Sequence, residues 1–287
     1  MKKTTRKSFS RKAIIVIASV FLVISLTATG FAAWLISNDA GGNGTGNVNA
    51  SNVSDAILGV TIDKAENLGT INFGPEAGDN EGNVKAKDGE DVESLAVTVT
   101  GKIGNFDTLK QMLVTVNCPD AVLTAAGYTW GENEQYGSRN YVYHADKAFI
   151  ALPSYAMDEK GNQLPLPAGG KTEAATYESA NGLFTAGDNG NEKKFSVEVK
   201  FGWGELFEGN NPGRYLDEET VSENKLTVSA KNKKALLAIA NGHKGFGITE
   251  DYTELSAFAK RDILNYMKTL FGSDTLKYTV VINAKAK

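Results

Sequence analysis

From about residue 58 onward the chain alternates between apolar and polar positions. In Phe195-Ser-Val-Glu-Val-Lys-Phe-Gly-Trp203, the residues Phe195, Val197, Val199, Phe201 and Trp203 fall on one side of an extended segment, and Ser196, Glu198 and Lys200 on the other. Leu95, Val97 and Val99 oppose Ser94, Thr98 and Thr100, and Met112, Val114, Val116 and Cys118 alternate in the same way. Leu58, Val60 and Ile62 share a face, as do Leu276, Tyr278, Val280 and Ile282. Successive side chains of a strand point to opposite faces, so period two with one apolar side predicts half-buried strands. One wet and one dry face predicts antiparallel sheets packed face to face. Turn-forming clusters separate these runs: Gly82-Asn83, Asp88-Gly89, Glu159-Lys-Gly-Asn162, Pro167-Ala-Gly-Gly170, Gly187-Asp-Asn-Gly190 and Asn210-Asn-Pro-Gly213.

Two segments change period. Residues 232–241 carry Leu236, Leu237 and Ile239 and stop at Gly242, a short helix. Residues 251–271 place Tyr252, Leu255, Ala259, Ile263, Tyr266, Met267 and Leu270 at three- and four-residue spacing, a longer one. Asp251 and Glu254 are its predicted start and Gly272 its stop. The predicted fold is mainly β: an antiparallel β-sandwich, jelly-roll-like, with one long and one short helix, preceded by an N-terminal hydrophobic leader helix. The predicted organisation is a leader over 1–33, a tether over 34–55 and a β domain over 56–287. A split near the Gly- and Asn-rich stretch 170–192 is the two-domain alternative.

The N-terminus follows another rule. Lys2, Lys3, Arg6, Lys7, Arg11 and Lys12 precede a run from Ala13 to Asn38 without a charge, and the first acid is Asp39. A basic head, an apolar stretch and small residues at its end form an export signal. The run over 13–36 is also long enough for an uncleaved membrane anchor, with residues 1–12 on the cytoplasmic side. No Cys lies near the leader and no twin-arginine pair precedes it. Residues 39–54 hold four Gly and four Asn with almost nothing to bury, which reads as a tether. Its Asn-X-Ser/Thr sequons at Asn43, Asn49 and Asn52 read as by-products of that composition.

Gly30-Phe-Ala-Ala-Trp34, followed closely by Asn38-Asp39, resembles the leader end of Gram-positive proteins processed by the SipW-type signal peptidase, among them the TasA-type biofilm fibre subunits and the camelysins. The resemblance covers about ten residues, and Leu35-Ile36-Ser37 are additional to the pattern. It implies a signal peptidase as a partner, processing between Ala33 and Trp34, and a role in matrix fibres.

Removing the six leader cations takes the formal charge from −4 to −10. An acidic body disfavours nucleic acid and anionic surfaces as partners. With Cys118 as the single cysteine, no intrachain disulfide is available and stability must come from the core. Cys118 ends an alternating strand and reads as a small buried apolar residue.

Candidate chemistry is sparse. His144 and His243 are the two histidines; there is no His-Glu-x-x-His and no Gly-x-Ser-x-Gly. His144 reads as lying at a strand edge and His243 as following a helix stop, so neither is assigned catalysis, and no cofactor is expected. The acidic turns 79–83 and 88–91 offer oxygen ligands for calcium, without the EF-hand order. Trp203 and Tyr215 are the candidate stacking platform for carbohydrate, against a core role for Trp203 that its phase favours.

The expected function is an exported cell-surface or extracellular-matrix structural protein. Its freed end, Trp34, Leu35 and Ile36, is the candidate assembly segment for self-association or for other surface proteins. The alternative is a membrane-anchored surface module binding carbohydrate or peptide, and a hydrolase comes third.

Overall fold

The computed structural model describes residues 58–67, 71–73, 84–86, 92–130, 140–216, 226–271, 276 and 278–287. The leader, the tether, Ala33, Trp34, Leu35, Ile36, the three sequons, both acidic turns and Gly272 lie outside them. The described part is mainly β, with antiparallel sheets and few helices.

The first sheet runs β1 (Val60–Asn67), β4 (Leu95–Ile103), β12 (Lys193–Trp203), β11 (Phe184–Ala186), each antiparallel to the next. A short β8 (Ile150–Ala151) pairs with the far end of β12. The second sheet runs β10 (Ala175–Glu178), β5 (Leu109–Cys118), β13 (Thr279–Ala286), again antiparallel. Next to it, β9 (Ala156–Asp158) lies parallel to the end of β5. Two hairpins complete the strands: β2 (Ile71–Phe73) with β3 (Val84–Ala86), and β6 (Ala126–Trp130) with β7 (Tyr141–Ala148).

Alternation translates directly into burial. Phe195, Val197, Val199, Phe201 and Trp203 of β12 are buried while Ser196, Glu198 and Lys200 are exposed. On β4, Leu95, Val97 and Val99 are buried, and on β5 Met112, Val114, Val116 and Cys118. Each large apolar side chain so removed from water contributes about 1.5–3 kcal/mol. Both sheets feed one apolar cluster, and Phe201 of the first meets Tyr278, just before β13 of the second, at 4.7 Å between ring centroids. The chain passes from β4 to β5 through a single tight turn at Phe106–Thr108. Val280 departs from the expected inward face: it is only half-buried.

Among the described residues there are four α-helices: α1 (Asp120–Ala125), α2 (Gly213–Leu216), α3 (Ala230–Gly242) and α4 (Ala257–Phe271). The expected short helix is α3, capped by Ser229 Oγ, which accepts from Asn232 N–H at 3.4 Å. The expected long helix is α4, but it starts at Ala257 and not at Asp251. A competing set of hydrogen bonds explains the difference. Asn241 clamps Tyr252 from both sides: Tyr252 N–H donates to Asn241 Oδ1 at 2.7 Å and Asn241 Nδ2 donates to Tyr252 C=O at 3.1 Å. Asp251 pairs with Lys244 at 2.8 Å instead of capping a helix. Ser256 Oγ takes that place, accepting from Ala259 N–H at 3.4 Å.

Candidate functional site

The elements that the alternation left undefined enclose a pocket. Pro119 leads into α1, with Leu123 N–H donating to Pro119 C=O at 3.1 Å, and α1 runs straight into β6. The β6–β7 register shifts between Ala126 and Tyr128, where Gly127 has φ +82°. A Cβ at Gly127 would lie 2.5 Å from His144 C=O, so this close approach requires glycine. Phe149 N–H donates to Ala125 C=O at 2.8 Å, holding the end of the hairpin to α1. Opposite, α3 is tied down where Asn232 Nδ2 donates to Glu205 C=O at 3.0 Å.

Between these elements lies a half-open pocket of about 640 Å³. Its α1 and α3 walls are built from small residues, Ala121, Ala125, Ala235 and Ala238, which leave the space unfilled. Its other wall is aromatic: the His243 ring stacks on Tyr266 at 3.7 Å, and Tyr266 meets Phe149 edge-on at 5.7 Å. Thr124, Thr129, Asp146 and Lys147 supply the polar lining. Thr129 Oγ1 lies 2.9 Å from His144 Nε2. The size, the apolar walls and the few polar groups suit an apolar body of drug size or a protruding side chain.

His144 lies in β7 and bonds to a threonine; His243 ends α3 and stacks on a tyrosine. Of the two, His243 lines the pocket and His144 does not, and among the described residues the ring of His144 meets Thr129 and that of His243 meets Tyr266, an arrangement without a carboxylate to orient a base. Among the described residues no group of three or more His, Cys, Asp or Glu is placed to hold a metal ion. Cys118 is fully buried, and that burial pushes its thiol far above the ordinary range. The thiol therefore stays protonated near neutrality, as befits a core residue and not a nucleophile.

The carbohydrate platform is corrected by the fold. Trp203 is 2% exposed and Tyr215 4%, so neither ring offers a face to a sugar. Trp203 Nε1 donates to Val92 C=O at 2.6 Å, and its ring packs 6.1 Å from Phe271. Tyr215 Oη accepts from Asn210 Nδ2 at 3.1 Å beside Phe207. The turn around Asn211 works as an internal fastener: Asn211 Nδ2 donates to Val84 C=O at 2.8 Å and to Val92 C=O at 3.2 Å, and Asn211 Oδ1 accepts from Gly213 N–H at 2.7 Å.

Two buried acids have structural roles that the sequence did not disclose. Asp158 Oδ1 accepts from Lys160 N–H at 2.9 Å and Asn162 N–H at 2.8 Å, closing the turn after β9, while Oδ2 accepts from Asn162 Nδ2 and Tyr141 Oη. Burial alone would raise its pKa, but these four bonds hold the carboxyl below its usual range. Asp262 of α4 accepts from Gly245 N–H at 2.9 Å and from Tyr252 Oη at 2.7 Å, anchoring the loop between α3 and α4. Desolvation, and then the bond to Asp262, push the Tyr252 phenol up to about 12.

No protein-family model matches the chain, and no curated protein or solved structure is detectably similar to it.

Proposed function

We propose that this is an exported structural subunit of the cell surface or extracellular matrix, whose body is a β-sandwich and which self-associates through its N-terminal segment. The reading rests on the basic-then-apolar leader, the Gly/Asn tether and an acidic body. The structural observation that favours it is the edge of the second sheet. β13 pairs with β5 on one side over Thr279–Ala286, and among the described residues no strand pairs with its other side. An eight-residue open edge is a template for strand addition. On one face of that sheet, Asn283 Oδ1 of β13 and Asn117 Oδ1 of the neighbouring β5 are buried acceptors without a hydrogen-bond partner among the described residues. An incoming extended segment carrying Trp34, Leu35 and Ile36 would supply N–H donors to such an edge, and head-to-tail addition builds open fibres. The sandwich assignment draws on the single apolar cluster fed by both sheets.

Chains over 34–287 and 55–287 should differ under the electron microscope, the longer forming filaments and the shorter not. Equal assembly by both removes the N-terminal segment from the mechanism.

A second reading, a surface module held by an uncleaved leader and binding a small ligand or peptide, is favoured by the pocket between α1, α3 and α4. N-terminal sequencing of the exported material separates the two: a start at Trp34 supports release, and an intact Met1 in the membrane supports the anchor.

A further inference from the structure

We propose that the pocket between α1, α3 and α4 takes a zwitterion with a flat apolar body, in chemical class an aromatic α-amino acid. The ring lies on the pocket floor and the two charges of the head meet Asp146 and Lys147 at the mouth. This deepens the second reading above and is independent of assembly through the N-terminal segment.

Polarity is layered in the pocket. Of its lining residues, Ala125, Gly127 and Phe149 are buried, while Thr124, Asp146, Lys147 and His243 are exposed. An apolar floor and a charged mouth select a ligand whose parts follow the same order. Phe149, Tyr266 and His243 offer edge and face contacts to a planar ring, and the alanines of α1 and α3 leave room for one.

The backbone places the two charges. Ala126 pairs with Ala148 and Tyr128 with Tyr143, so residues 144–147 of β7 stand against Gly127 alone. In a regular strand Asp146 and Lys147 would point to opposite faces. This bulge brings both into the pocket lining, the re-aiming of side chains for which bulges are used. Neither side chain has a hydrogen-bond or ion-pair partner among the described residues, so they do not neutralise each other. A ligand with a single charge is drawn to one of them and repelled by the other, whereas one with both charges is drawn by both. Consecutive Cα atoms are about 3.8 Å apart, so both side chains can reach one small head group. An extended peptide instead separates its terminal charges by a further 3.3–3.6 Å or so for each residue added.

The test follows a fluorinated L-tryptophan by fluorine NMR with the full-length chain in lipid nanodiscs, empty nanodiscs being subtracted. The acid should bind. Its amide, which lacks the carboxylate, and its N-acetyl form, which lacks the ammonium, should each bind at least about threefold more weakly, as expected for ion pairs at an exposed rim. Lys147→Met should remove the preference for the acid over the amide, and Asp146→Asn the preference over the N-acetyl form. Ala238→Trp, at an exposed position of the lining, should reduce binding of all three to background by blocking the mouth. Equal binding of the three, matched by fluoroindole, overturns the zwitterion and leaves an apolar ligand site. Binding by none of the probes removes the second reading with it. Binding that survives Ala238→Trp, or a preference that survives Lys147→Met and Asp146→Asn, overturns the proposal as well.

Discussion

Asn211→Ala removes three hydrogen bonds at one buried point. Asn211 is 2% exposed and joins Val84 C=O, Val92 C=O and Gly213 N–H through its amide. Each such bond contributes about 1 kcal/mol net, and a buried donor left unpaired costs about 1–3 kcal/mol. Val92 C=O keeps the Trp203 indole as a donor, and Val84 C=O keeps a longer bond from Val92 N–H at 3.4 Å. Gly213 N–H loses the partner the structure gives it there. The expected loss is about 3 kcal/mol, or about 6–12 °C in melting temperature for a domain of this size. Urea unfolding followed by tryptophan fluorescence measures it, with Trp203 close to the lesion. Asn211→Asp is the diagnostic partner. It keeps the acceptor for Gly213 N–H but sets a carboxylate against two carbonyls, so it should cost at least as much at neutral pH and recover partly in acid, where the protonated oxygen donates. A loss below about 1 kcal/mol for Asn211→Ala would refute the claim that this amide fastens β3 and residue 92 to the turn before α2.

Three further outcomes follow from the same packing. Trp203→Phe keeps most of the apolar area but deletes the indole N–H, so stability should fall by about 1–2 kcal/mol; an unchanged melting curve would return Trp203 to the surface. Asp158 has a depressed folded-state pKa, so its contribution is present above about pH 4 and is lost as pH falls through the lower folded value. Asp158→Asn should therefore flatten the acid limb of the stability–pH curve, and parallel curves for the two proteins would count against the four-bond account. Cys118 should resist a thiol reagent at pH about 8 in the folded protein and react once urea unfolds it, because burial keeps it a neutral thiol; rapid labelling of the native chain would contradict its place at the end of β5.

The long strands β4, β5 and β12 were legible in the sequence because their information is local. Period two names the buried face of β4, β5 and β12 residue by residue, since one side of a pleated strand must leave water. Period 3.6 located α3 and the body of α4. The onset of α4 was misplaced by six residues because Asn241, ten residues upstream of Asp251, takes the backbone of Tyr252 for itself, and spacing within the helix carries no trace of that contact. Likewise, Trp203 showed its buried phase in the sequence, whereas the burial of Tyr215 came from Phe207 and Asn210 closing over a turn.

By itself, then, the sequence determined the long half-buried strands, the two main helices and the contrast between a basic-then-apolar N-terminal stretch and an acidic remainder, because each is a property of neighbouring residues. Only the tertiary structure decided which strands pair, that β13 has an open side among the described residues, and that alanines from α1 and α3 face an aromatic wall across a pocket. Those outcomes depend on residues far apart in the chain sharing buried surface and hydrogen bonds, and no local period records which distant partner will supply them.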